Sequence, residues 1–164
     1  MSTLVADASA LVSLGIVAGK DPDPLALCLA HYEVLVPQAV IEELEEIASC
    51  DDVHGQAAIV LDRTGAFITA SVTLDAEFPL DDDENAAVTI ANDRDASLLL
   101  CDEFDQLRLI HASLADTRLV TTPTLLPILV RTNHLSAADA RALLDQIGDA
   151  LAGTVNYSTL LTRR

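Results

Sequence analysis

Lysine is nearly missing from this chain. Of nine basic residues in 164, only Lys20 is a lysine, and they face 26 acidic residues for a net charge of −17. A surface of that sign repels nucleic acid at low salt, because such binding rests largely on Lys and Arg contacts to phosphate. Two readings follow. Either the protein never meets a polyanion, or it is halophilic and works at molar salt, where the screening length falls to about 3 Å. Aromatic residues are also scarce: Tyr32, Phe67, Phe78, Phe104 and Tyr157 are too few for a broad base-stacking platform, although Phe104 lies close to the acidic positions discussed below. No apolar run approaches the ~18–20 residues that span a bilayer. The first residues lack the basic-then-apolar pattern of a leader, so the expected compartment is the cytoplasm. Cys28, Cys50 and Cys101 make neither an even set nor a Cys-x-x-Cys pair, which argues against a disulfide framework or a zinc knuckle. His31, His54, His111 and His134 are scattered without metal-ligand spacing. The Gly-x-Ser-x-Gly elbow, the phosphate-cradling Gly-x₄-Gly-Lys and the Gly-x-Gly-x-x-Gly turn are all absent, so a serine hydrolase, a P-loop NTPase and a dinucleotide enzyme are disfavoured.

What the chain does have is hydrophobic material, 51% of its residues, enough for one buried core and one domain over 1–164. Strand-like and helix-like stretches alternate. Strands are expected over 3–6, 32–36, 67–73, 97–101 and 118–121. Helices are expected over 9–18, 25–31, from Pro37 to 49, over 53–63 closed by Gly65, then over 81–93, 103–113, from Thr122-Pro123 onward, and over 136–151. The strand cores Leu4-Val5-Ala6, Val34-Leu35-Val36 and Leu98-Leu99-Leu100 are continuously apolar, as in strands covered on both faces. The pattern predicts an α/β fold, a three-layer α/β/α domain around a parallel sheet. Ligands should then collect at the carboxyl ends of the strands.

Four carboxylates stand out against that frame. Asp7 and Asp102 directly follow the first and fourth expected strands, a place where aspartate is also an ordinary turn residue. Glu43 borders the stripe Val40, Leu44, Ile47, whereas Glu42, Glu45 and Glu46 point to the solvated face of the same helix. Glu84 precedes Ala87, Val88 and Ala91 by three, four and seven residues, placing it on an apolar face. The helix dipole accounts for acids at this terminus, Asp81, Asp82 and Asp83 among them, but not for one on the inner side. A carboxylate buried there costs several kcal/mol unless compensated (~3–5 kcal/mol for an uncompensated charge). Four such acids in one hollow cannot all ionise without a counter-charge, and a hard divalent cation, Mg²⁺ or Mn²⁺, is the economical one. A cation so held activates water and stabilises the transition state at a phosphodiester. Arg63, Arg94, Arg108 and Arg118 could contact phosphates, although helical arginines are more commonly solvated surface, and Arg163-Arg164 reads as a tail. Cys101, beside Asp102, reads as a buried inert thiol rather than a nucleophile.

The segments Val5-Ala6-Asp7-Ala8-Ser9-Ala10-Leu11, Val36-Pro37-Gln38-Ala39-Val40-Ile41-Glu42-Glu43-Leu44, Leu80-Asp81-Asp82-Asp83-Glu84-Asn85-Ala86-Ala87-Val88 and Leu98-Leu99-Leu100-Cys101-Asp102-Glu103, with the closing Thr121-Thr122-Pro123-Thr124-Leu125-Leu126, resemble in order and spacing those of PIN-domain ribonucleases. The resemblance implies a metal-dependent ribonuclease whose acidic quartet is Asp7, Glu43, Glu84 and Asp102, holding Mg²⁺ or Mn²⁺. It makes Ser9 the hydroxyl that supports the site, with Glu103 and Asp105 able to assist or replace the fourth acid. Asp83 departs from the glycine that many relatives carry there, and the shortage of basic residues departs from an RNA binder. The family includes toxins of type II toxin–antitoxin pairs, usually homodimers masked by a small antitoxin, and nucleases of RNA processing or decay. A stand-alone domain resembles the toxin type. Two rivals from other classes remain open: a non-catalytic interaction module that keeps the fold, and a receiver-like domain using Asp7 as phosphoacceptor.

Overall fold

Five short strands pair in one direction throughout, each sharing a face with helices that return the chain to the same sheet edge. The computed structural model describes residues 1–64, 67–74, 77 and 79–152, with the side chains of residues 63 and 64 excepted. Elements run in the order β1 (Ser2–Ala6), α1 (Ala8–Ile16), α2 (Pro24–His31), β2 (Tyr32–Pro37), α3 (Gln38–Ala48), α4 (Val53–Thr64), β3 (Ile68–Ala70), α5 (Asp82–Asp93), β4 (Leu98–Leu100), α6 (Leu107–Ser113), β5 (Arg118–Val120), α7 (Thr122–Arg131) and α8 (Ala137–Leu151). The sheet order is β3-β2-β1-β4-β5, all parallel. The expected three-layer α/β/α architecture is therefore the observed one.

Alternation along the strands divides the core in two. Leu4, Ala6, Val34, Val36, Leu98, Leu100 and Val120 face helices α1, α2, α3, α4, α7 and α8. Val5, Leu35 and Leu99 face the other way, onto Ala87, Val88, Ile90 and Ala91 of α5 and Ile110 of α6. Burial on both faces is why these strands read as unbroken apolar runs. On the first face α1 and α4 pack closely: a Cβ on Gly15 would lie 2.9 Å from the Ala57 carbonyl oxygen.

Three boundaries differ from expectation in an instructive way. The third strand covers 68–70 rather than 67–73, because it is an edge strand whose only partner, β2, pairs it no further than Pro37 with Ala70. The sixth helix starts as a single 3₁₀ turn, Phe104–Gln106, before α6 proper at Leu107. The first helix ends at Ile16, and Gly19 lies beyond it at φ +81. Gly65, Phe78, Tyr157 and Arg163-Arg164 fall outside the described residues, as does the side chain of Arg63. No helix among the described residues is long and apolar enough to cross a membrane.

From β1 the chain moves outward through β2 and β3, then crosses to β4 and β5 on the other side. The strand order thus reverses between β1 and β4, and open α/β sheets place their ligands at the carboxyl ends of the strands flanking such a reversal.

Candidate metal centre

Asp7 leaves β1 at that reversal and caps α1. Its Oδ1 accepts from the Ala10 amide at 3.1 Å and from Ser9 Oγ at 2.8 Å. Its Oδ2 lies 2.9 Å from the same hydroxyl and accepts from the Cys101 thiol at 3.0 Å. Ser9 Oγ in turn accepts from the Asp102 amide at 3.0 Å, so one hydroxyl ties the ends of β1 and β4 together. Burial pushes Asp7 up to about 7, although the bonds from Cys101, Ala10 and Ser9 oppose the shift. Cys101 is buried, and burial followed by the Asp7 charge pushes its thiol far up, which fits an inert donor rather than a nucleophile.

The acids of α3 and α5 meet across the end of the sheet. Glu84 is only 6% exposed, on the buried side of α5 as its spacing predicts. Burial, then hydrogen bonding and charge repulsion from Asp83, push it up to about 9, and Asp7 adds to the repulsion. Glu43, half-buried on α3, is pushed up to about 8 by burial and then by Asp83, with Asp7 and Glu103 contributing. Burial also acts on Asp83, but side-chain hydrogen bonds with Glu43 and Glu84 outweigh it and hold Asp83 below its ordinary value. Asp83 is thus held toward its ionised form between two carboxyl groups held toward their protonated forms. Oε2 of Glu43 and Oε2 of Glu84 are both buried without a hydrogen-bond partner.

Asp81, Asp83 and Glu84 each bring a carboxylate oxygen within 4.8 Å of the others, an arrangement that could hold a metal ion. The donor set is all oxygen and suits a hard cation. Among the described residues the only ion pair joins His54 and Asp52 at 3.9 Å, so no arginine or lysine neutralises these carboxylates.

No family model and no curated protein matches this chain. The site therefore stands on its own geometry.

Asp7 lies within electrostatic reach of both Glu43 and Glu84, and Asp83 joins those two. Asp102 is buried beside Asp7 and raised chiefly by that burial, but it has a second task. Its Oδ1 accepts from the Thr122 amide at 2.7 Å and so anchors the start of α7, while Oδ2 has no partner. Glu103 is the residue after β4 that senses the α5 acids. It is raised by burial and then by Asp105, Asp83 and Asp81. Asp105 itself is exposed on the 3₁₀ turn. Sequence reasoning passed over Asp81 and Asp83, treating them as companions of the helix dipole. The signal that could have found them is the run Asp81-Asp82-Asp83-Glu84, four carboxyl groups at a terminus whose dipole is worth only about half a charge. Glu42, Glu43, Glu46, Asp82 and Asp83 also line a groove of about 630 Å³ between α3 and α5, so the approach to the site is itself acidic.

Proposed function

We propose that the chain is a metal-dependent ribonuclease, with Mg²⁺ or Mn²⁺ held at the carboxyl edge of the sheet. The observation that carries this reading is the buried, unpartnered Oε2 of Glu84 within a three-carboxylate cluster that no basic side chain among the described residues neutralises. A buried charge without compensation is costly, and an oxygen-seeking divalent cation supplies the compensation.

Asp83 and Glu84 are the principal ligands, with Asp81 on the exposed side and Glu43 and Glu103 facing them from α3 and from the residues after β4. When bound, the cation lowers the pKa of a coordinated water and offsets charge at the phosphodiester. Glu43 and Glu84 surrender their protons as it binds. Asp7, which accepts from the Ser9 hydroxyl, the Ala10 amide and the Cys101 thiol, fixes the floor of the site. Ser9 Oγ is committed to Asp7 and Asp102 and so serves as a support, not a nucleophile. Asp102 positions Asp7, through Ser9, and the start of α7.

RNA as substrate follows from the sequence resemblance. So does a toxin's role, in which a small antitoxin masks the cleft of a homodimer. The acidic wall formed by Glu42, Glu46 and Asp82 suits a basic segment of such a partner.

The test is cleavage of a structured RNA by the purified chain in molar KCl with Mn²⁺. Activity should disappear with EDTA and in Glu84→Gln and Asp83→Asn variants that keep the far-ultraviolet dichroism of the parent. Equal rates with and without EDTA, or in parent and variants, overturn the proposal.

A further inference from the structure

A chain this acidic needs some place where a polyanion is attracted, and the groove beside the carboxylate cluster is not it. A second hollow, of about 430 Å³, opens at the far side of the same sheet edge and is lined by Leu107, Arg108, His111, Leu119, Thr121 and Thr124. Its wall carries a guanidinium, an imidazole and two hydroxyls, and no carboxylate. Arg108 and His111 are three residues apart on α6, one turn of the same helical face. Both are exposed, and neither forms an ion pair among the described residues. Across from them Thr121 Oγ1 and Thr124 Oγ1 lie 3.1 Å apart at the start of α7. A fork of guanidinium donors, an imidazole and paired hydroxyls is donor chemistry suited to phosphate oxygens.

The hollow's place relative to the acids gives it a function. Thr121 ends β5 and directly precedes Thr122, whose amide holds Asp102. β5 pairs with β4, and β4 with β1. Two inter-strand steps put the end of β5 about 10 Å from that of β1. A polynucleotide laid along this carboxyl edge therefore spans the hollow and the acidic side of the sheet within a few nucleotides.

We propose that Arg108, His111, Thr121 and Thr124 form a phosphate-binding subsite that holds the backbone of a polynucleotide a few nucleotides from the bond at the acidic cluster. The subsite rests on the nuclease reading for its role. Its phosphate chemistry does not depend on a metal, so the two can fail separately.

The first arm titrates inorganic phosphate into the metal-free chain in EDTA and follows the imidazole Cε1–H signals by NMR. His111 should shift saturably while His31, His54 and His134 do not, and Arg108→Gln should abolish the shift. No saturable shift at His111, or the same shift in Arg108→Gln, overturns the subsite. The second arm measures cleavage of an oligouridylate in Mn²⁺. Arg108→Gln should raise KM about tenfold, as expected for one lost charge-assisted hydrogen bond, with kcat unchanged. The slope of log affinity against log salt should flatten by ~0.7. An unchanged KM and slope, with the phosphate shift intact, show a site for free phosphate and overturn its assignment to the substrate backbone. A parent chain that shows the phosphate shift but cleaves nothing removes the nuclease reading and leaves the phosphate site standing.

Discussion

Replacing Glu84 with glutamine should stabilise the metal-free protein and weaken its response to metal. Glu84 is buried with Oε2 unpartnered, beside Asp83, whose carboxyl is held below its ordinary value. An unsatisfied buried polar group costs about 1–3 kcal/mol. Glutamine keeps the shape, carries no charge and offers Asp83 an amide donor at every pH. The sign follows from the direction of the shift. Glu84 rises from 4.5 to about 9 on folding, so its contribution to stability is intact below 4.5 and is lost as pH climbs through about 9. At pH 8 in EDTA, a gain of about 2 kcal/mol raises Tm by about 4–8 °C for a chain of this length. The difference should shrink as pH falls toward 5. Saturating Mn²⁺ at a hundred times Kd stabilises the parent by about 2.7 kcal/mol, or about 5–11 °C. In Glu84→Gln a hundredfold weaker site leaves only about 0.4 kcal/mol of that stabilisation at the same concentration. Differential scanning fluorimetry at pH 5 and 8, with EDTA or Mn²⁺, reads all of this. A variant less stable than the parent in EDTA at pH 8, or an equal Mn²⁺ shift in both, refutes the reasoning.

Titration of Mn²⁺ at pH 7 in buffers of different ionisation enthalpy should show about one to two protons released per ion, from Glu84 and Glu43, which are pushed up to about 9 and about 8; no release contradicts the arrangement. Asp102→Ala should lower Tm in EDTA and in Mn²⁺ alike, by an amount equivalent to about 1–3 kcal/mol, because it strips the Thr122 amide of its acceptor. Glu103→Gln should leave the EDTA value near the parent's and weaken Mn²⁺ binding, and an interchange of these two results assigns the ligand role to Asp102 instead. Ser9→Ala removes the hydroxyl shared by Asp7 and Asp102 and should weaken Mn²⁺ about 10–100-fold by calorimetry, with no change marking Ser9 as a bystander.

The layers were legible because burial on both faces of a parallel sheet writes itself as unbroken apolar strands, and Val34-Leu35-Val36 and Leu98-Leu99-Leu100 carry that mark. Glu84 was legible for the same reason, as a charge in the wrong phase of an apolar stripe. Asp83 was not, because its partner Glu43 lies forty residues away on another helix and no local pattern records that meeting. The split of work between Asp102 and Glu103 was hidden too. Adjacent residues after a strand turn to different sides, and only the start of α7 shows that Asp102 is claimed by Thr122. The 67–73 strand was overextended because the β-branched Val72 and Thr73 continue its strand character after pairing with β2 has ended at Ala70.

The most direct test of the metal centre is an anomalous difference map from crystals of the full chain soaked in Mn²⁺. The account predicts a peak about 2.1 Å from carboxylate oxygens of Asp83 and Glu84, with Glu43 or Glu103 completing the shell directly or through water. A map with no peak at Glu84, with the carboxyl groups still bonded to one another at saturating Mn²⁺, contradicts it.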